Sequence, residues 1–145
     1  MKLNIYLIPF IVLFLVATGV SAQTVRMPEE GSAERKAILE ALRVPVEKEL
    51  KQKIKFVVET LRVQGAWSFA GGVPQAENGS WPDYRATNYQ EAIDNEMFDN
   101  NIFALLKNTN GEWKVVTYSI GCTDVCYATW WRDYKAPRRI FPYVE

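Results

Sequence analysis

The sequence predicts an α+β domain: an N-terminal helix packed on an antiparallel sheet of about four strands, with a short C-terminal helix. Three observations carry this. Apolar residues recur at helical spacing over 38–46. Two runs, 54–71 and 102–120, are rich in β-branched and aromatic residues, and each is broken by a turn signal. The turn in the second run is Asn110-Gly111, a strong type I′ hairpin signal.

Residues 1–22 read as a secretory signal peptide. Lys2 gives a short positive start, an apolar stretch follows, and Val20-Ser21-Ala22 puts small residues at the cleavage positions. The competing reading is a membrane anchor, which needs about 20 consecutive apolar residues. Pro9 and Gly19 interrupt this stretch, and no cysteine follows it to carry a lipid. The expectation is therefore a secreted or periplasmic chain, with no membrane span after cleavage and a single domain over 23–145. A domain of that size buries roughly 65% of its unfolded surface, enough for one core without a metal.

The elements follow in order. Ser32 is a plausible N-cap, with Glu34 in the first turn facing the positive end of the helix dipole. Ile38, Leu39, Ala41, Leu42 and Val46 form the apolar stripe, and Pro45 is expected to kink or end the helix. The mixed-sign residues from Glu47 to Lys55 read as a solvated helix end. Residues 54–63 alternate as a strand, Gln64-Gly65 turns, and 66–71 returns as the partner, with Trp67 and Phe69 on one face. Pro74 and Asn78-Gly79 mark a loop, and 88–97 a short helix. The last hairpin pairs 102–107 with 113–120, Trp113 lying in the alternating strand. Asp124 is expected to cap a helix reaching Asp133, and Pro137 to end it.

Composition excludes several chemistries. There is no histidine, so no Ser-His-Asp or Cys-His nucleophile system and no histidine-ligated zinc or haem is available. Two cysteines cannot build a four-cysteine site. No cofactor and no metal are expected. Seventeen basic residues balance seventeen acidic ones, which argues against nucleic acid as the partner.

The segment from Ile102 through Asn110-Gly111 to Val116 is similar to the closing hairpin of NTF2-like proteins, and the order of elements resembles the cystatin-like and NTF2-like α+β superfamilies. Three stretches, 34–39, 61–67 and 121–125, also resemble a set of small secreted bacterial proteins of unassigned function. The resemblance implies a curved sheet with the helix on it, and brings no reaction.

Four aromatic residues are candidates for a binding surface. Trp81 and Tyr84 flank Pro82 in a polar loop, and Trp130 and Trp131 are adjacent, so on a helix they point about 100° apart and resist joint burial. Exposed, they would stack on sugars or anchor a protein contact. Folded over the sheet, they would be core. Cys122 and Cys126 allow a structural disulfide, free or intermolecular thiols, or a redox pair. Their spacing differs from the Cys-x-x-Cys of thioredoxin-like sites. Asp99 and Asp124 are the alternative acid/base pair, in the style of a glycosidase, against a solvated loop and a cap. Asn78-Gly79-Ser80 matches the glycosylation sequon.

Three functions are compatible with this inventory. The first is a secreted, non-enzymatic binding or inhibitory module for a protein or cell-wall glycan of the envelope. The second is a small-ligand carrier with an NTF2-like cavity. The third is a carboxylate-dependent cell-wall glycan hydrolase.

Overall fold

The computed structural model describes residues 23–145, and the leader expected over 1–22 lies outside the described residues. Helix α1 spans Ala33–Leu50. Ser32 is extended and its hydroxyl accepts the Arg35 N–H at 3.2 Å, as a helix N-cap does. Ile38, Leu42, Val46 and Leu50, four residues apart, are all buried on one stripe.

The helix continues through Pro45, where the sequence predicts a kink or an end. The missing N–H and the ring clash cost about 3 kcal/mol in a free helix. Here the buried stripe resumes directly after the proline. Val46 and Leu50 each gain roughly 1.5–3 kcal/mol by burial, which outweighs the break. The helix ends at Lys51, whose φ of 56° is left-handed.

The sheet is a simple antiparallel meander in the order β1-β2-β3-β4, with β1 Lys55–Gln64, β2 Trp67–Gln75, β3 Ile102–Thr109 and β4 Glu112–Ile120. Asn110 and Gly111 carry φ of 54° and 86°, the two positive values a type I′ turn requires. Strand β2 runs beyond the expected Gly71 and takes in Pro74, which the sequence places in a loop. The Pro74 carbonyl accepts from the Asn100 side-chain amide, so the proline nitrogen faces the side where β3 has already ended. No ladder bond is lost there, and proline is tolerated.

Two bulges keep the apolar residues on one face. Register shifts between Val58 and Thr60, so Phe56 and Val58 are followed inward by Leu61 and Val63. A second shift in β4 lets Trp113 and Val115 be followed by Tyr118 and Ile120. Without the extra residue each strand would turn half its apolar side chains away from α1.

The opposite face is covered too. Tyr127, Trp130, Ala136, Ile140 and Phe141 pack on Phe69 and Leu105 as a second core. The covering segment is mostly turns, with α3 Trp130–Asp133 and one 3₁₀ turn, Arg138–Ile140. The helix expected from Asp124 to Asp133 is therefore confined to its last turn. Asp124 instead accepts the Val125 N–H on its side chain and the Cys126 N–H on its carbonyl, which closes a local turn. Between β2 and β3 the expected 88–97 helix is α2, Gln90–Asp94. The molecule is thus three layers: helix, sheet and C-terminal cover.

Candidate functional site

Each candidate residue has a definite place. Trp81 is 59% exposed. The loop beneath it is braced at several points. Asn78 Oδ1 accepts from both the N–H and the hydroxyl of Ser80, and Gly79 N–H donates to the Ala76 carbonyl. The Gln52 side-chain amide donates to the Asp83 carbonyl at 2.8 Å and accepts the Asp83 N–H at 2.9 Å. Lys55 donates to the Glu77 carbonyl. Arg85 grips Asp83 with two charge-assisted hydrogen bonds and holds its carboxyl down to about 2. Gln52 and Lys55 lie over twenty residues from the loop they hold, so sequence spacing could not reveal them.

Tyr84 is not on the surface. It is 4% exposed, its hydroxyl donating to Asn100 Oδ1 at 2.7 Å. Its ring lies 4.8 Å from Phe98 and 6.0 Å from Tyr89, both edge-on. The alternation of inward Pro82 and Tyr84 with outward Trp81, Asp83 and Arg85 explains why its neighbour Trp81 remains out.

Trp130 and Trp131 divide as adjacent helical residues must. Trp130 is buried against Tyr127, and Trp131 is half-buried, its indole N–H donating to the Glu145 carbonyl and its face covered by Arg138 at 5.0 Å. Trp130 is therefore core, and of the four candidate aromatics Trp81 alone stands free in solvent.

Cys122 and Cys126 are bridged, with Cα atoms 6.1 Å apart. The bridge closes the turn between β4 and the cover, and Asn101 fixes its start by pairing with the N–H and carbonyl of Cys122. The loop is not helical, which removes the distortion an i, i+4 bridge would need inside a helix.

Asp99 and Asp124 lie on neighbouring segments, joined through Asn101 and Gly121. A polar depression of about 230 Å³ beside Asp124 is lined by Cys126, Thr129, Tyr143 and Glu145, without Asp99. The apolar space beneath α1, between Leu39, Leu42, Phe56, Val58 and Gly72, is only about 10 Å³, room for one water. Among the described residues, no group of three or more Cys, Asp or Glu side chains is placed to hold a metal.

One constellation escaped the sequence entirely. Glu49, at the end of α1, accepts a phenol hydrogen bond from Tyr89 on one oxygen and from Tyr118 on the other. It ties the helix, the α2 loop and β4 together. Its members are 40 and 69 residues apart, with no motif to link them. Burial pushes the phenols of Tyr84, Tyr89, Tyr118 and Tyr127 up, and the Glu49 carboxylate adds to this for Tyr89 and Tyr118.

A pH prediction follows from these tyrosines. Their folded pKa values lie above the ordinary phenol value of about 10, so the folded state holds protons the unfolded state releases. Their contribution to stability is complete below that pH and is lost as pH rises through the folded values. Melting temperature is expected to fall steeply above about pH 10, and phenolate absorbance from these four rings to rise only with unfolding. Ionisation of all tyrosines near the ordinary value in the folded chain would contradict this.

Comparison with known proteins finds no matching family model, no matching curated protein and no matching solved structure. Among the described residues no helix is long and apolar enough to cross a membrane.

Proposed function

We propose that the chain is a secreted, non-enzymatic binding or inhibitory module on an NTF2-like or cystatin-like scaffold. It engages a protein or cell-wall glycan of the envelope or extracellular space, and Trp81 is the contact residue. One observation carries this reading: a large indole 59% exposed on a loop braced by Gln52, Lys55 and the Asn78–Ser80 turn. An indole offers rigid amphipathic contact area at low entropic cost, and a braced loop has less freedom left to lose on binding. The alternating burial of Trp81 to Arg85 keeps the ring out without weakening the core.

The test is affinity capture on immobilised 23–145 from envelope and culture extract, beside Trp81→Ala. A macromolecule retained by the unchanged chain is expected to bind Trp81→Ala about 30-fold more weakly, as for a central aromatic anchor. Both proteins should melt at the same temperature, since the ring is exposed. Equal retention by the two would sink Trp81 as the contact.

A further inference from the structure

The outer surface of the C-terminal cover carries a feature that the Trp81 reading does not use. Over 130–140 the side chains of Trp130, Ala136 and Ile140 point inward onto Phe69 and Leu105. Those of Arg132, Lys135, Arg138 and Arg139 are exposed. Four cations thus share a short stretch folded on itself, with Asp133 as its one carboxylate. Arg132 approaches Asp133 only at 3.8 Å. Among the described residues, Lys135, Arg138 and Arg139 have no ion-pair partner, whereas Arg26, Arg43, Lys53, Arg85 and Lys114 each have one.

Arg138 is also pre-placed. Its guanidinium carbon lies 5.0 Å over the Trp131 ring, a cation–π contact that restrains the side chain without using its N–H donors. Such a fork suits bidentate hydrogen bonds to phosphate oxygens. The aromatics within the stretch are amphipathic: Tyr134 is exposed and Trp131 half-buried. Cations interleaved with Tyr and Trp are the composition found at a lipid–water interface. The rest of 23–145 carries twelve basic and sixteen acidic residues, so the cationic strip stands against an acidic remainder and orients the molecule in a field.

We propose that this strip docks the chain on the phosphate headgroups of an anionic lipid surface, with Lys135, Arg138 and Arg139 as the contacts and Tyr134 at the headgroup level. The docking is peripheral: among the described residues no helix is long and apolar enough to cross a membrane. Trp81 is not part of this surface, so this proposal and the macromolecular reading fail independently.

The experiment uses 23–145, which contains both cores, and avoids the apolar leader that would itself insert. Co-sedimentation is measured with vesicles of phosphatidylcholine alone and with equal parts phosphatidylglycerol. Binding is expected only to the anionic vesicles and is expected to weaken with salt. Arg139→Gln, a side chain with no described partner, should lower binding about fivefold, and Lys135→Gln/Arg138→Gln/Arg139→Gln about a hundredfold. Lys36→Gln/Lys48→Gln/Lys51→Gln removes the same charge from exposed positions on or just past α1 and should leave binding within about twofold. Equal loss in both triple variants, no loss in the first, or capture by soluble polyphosphate without vesicle binding would each overturn the proposal.

Discussion

Phe69→Ala is expected to lower the stability of the folded chain by about 3–5 kcal/mol, a large share of what a domain this size possesses. Phe69 is fully buried at the centre of the second core. Its ring lies 4.8 Å from Tyr127, 5.2 Å from Phe141 and 6.2 Å from Phe103. Tyr127 and Phe141 belong to the C-terminal cover, while Phe69 and Phe103 belong to the sheet. Removing the ring therefore opens a cavity at the joint between two layers. The cover has little regular structure of its own, so it depends on this joint. Chemical denaturation should show a lower midpoint, and tryptophan emission should shift to longer wavelength as Trp130 loses its shelter. Phe69→Leu, which keeps most of the volume, should cost less than half as much. A loss below about 1 kcal/mol for the alanine variant would mean that the cover is held mainly by something other than this aromatic cluster.

Gly72→Ala is expected to be among the most damaging single methyls at the described glycines. A β-carbon there would run into the Val57 carbonyl oxygen and close on the Val58 Cα. The obstacle is backbone, so no rotamer change can relieve it. Gly72 pairs with Val58 beside the β1 bulge, and β1 must move away or slip. Overpacking typically costs about 1–3 kcal/mol, and a clash with backbone belongs at or beyond the top of that range. The adjacent Gly71→Ala is the natural comparison. Its β-carbon would meet the Phe103 ring at 3.0 Å, and a ring can tilt. The expected order is a loss near 1 kcal/mol for Gly71→Ala and about 3 kcal/mol or more for Gly72→Ala, read from denaturation midpoints. Equal losses would show that β1 yields as easily as a side chain.

The sequence discloses what local chemistry encodes. Ser32 as a cap, Asn110-Gly111 as a turn and the spacing of Ile38, Leu42 and Val46 are each decided within a few residues. Pro45 and Pro74 misled for the opposite reason. What a proline breaks depends on whether its nitrogen faced a partner and on how much burial lies beyond it, and both are tertiary facts. The aromatic candidates separated the same way. Composition cannot tell Trp81 from Tyr84, because the difference is which of two neighbours turns toward Phe98 and Asn100. The Glu49 pincer on Tyr89 and Tyr118 lies deeper still, since its three residues meet only once helix, loop and sheet are assembled.

The cover has a temporal consequence. Strands β1 to β4 pair in chain order and α1 precedes them, so everything on the helix side is complete once residue 120 has emerged. The other side of the sheet waits for the last twenty or so residues, because Val125, Tyr127, Trp130, Ala136, Ile140, Phe141 and Val144 are what shield it. A nascent chain folds from its N-terminus, so for that interval Trp67, Phe69, Phe103 and Leu105 form a bare apolar plate. Any stop or cleavage after β4 makes that interval permanent. The hazard of this fold is thus a matter of timing, and its C-terminal residues are the ones whose arrival ends it.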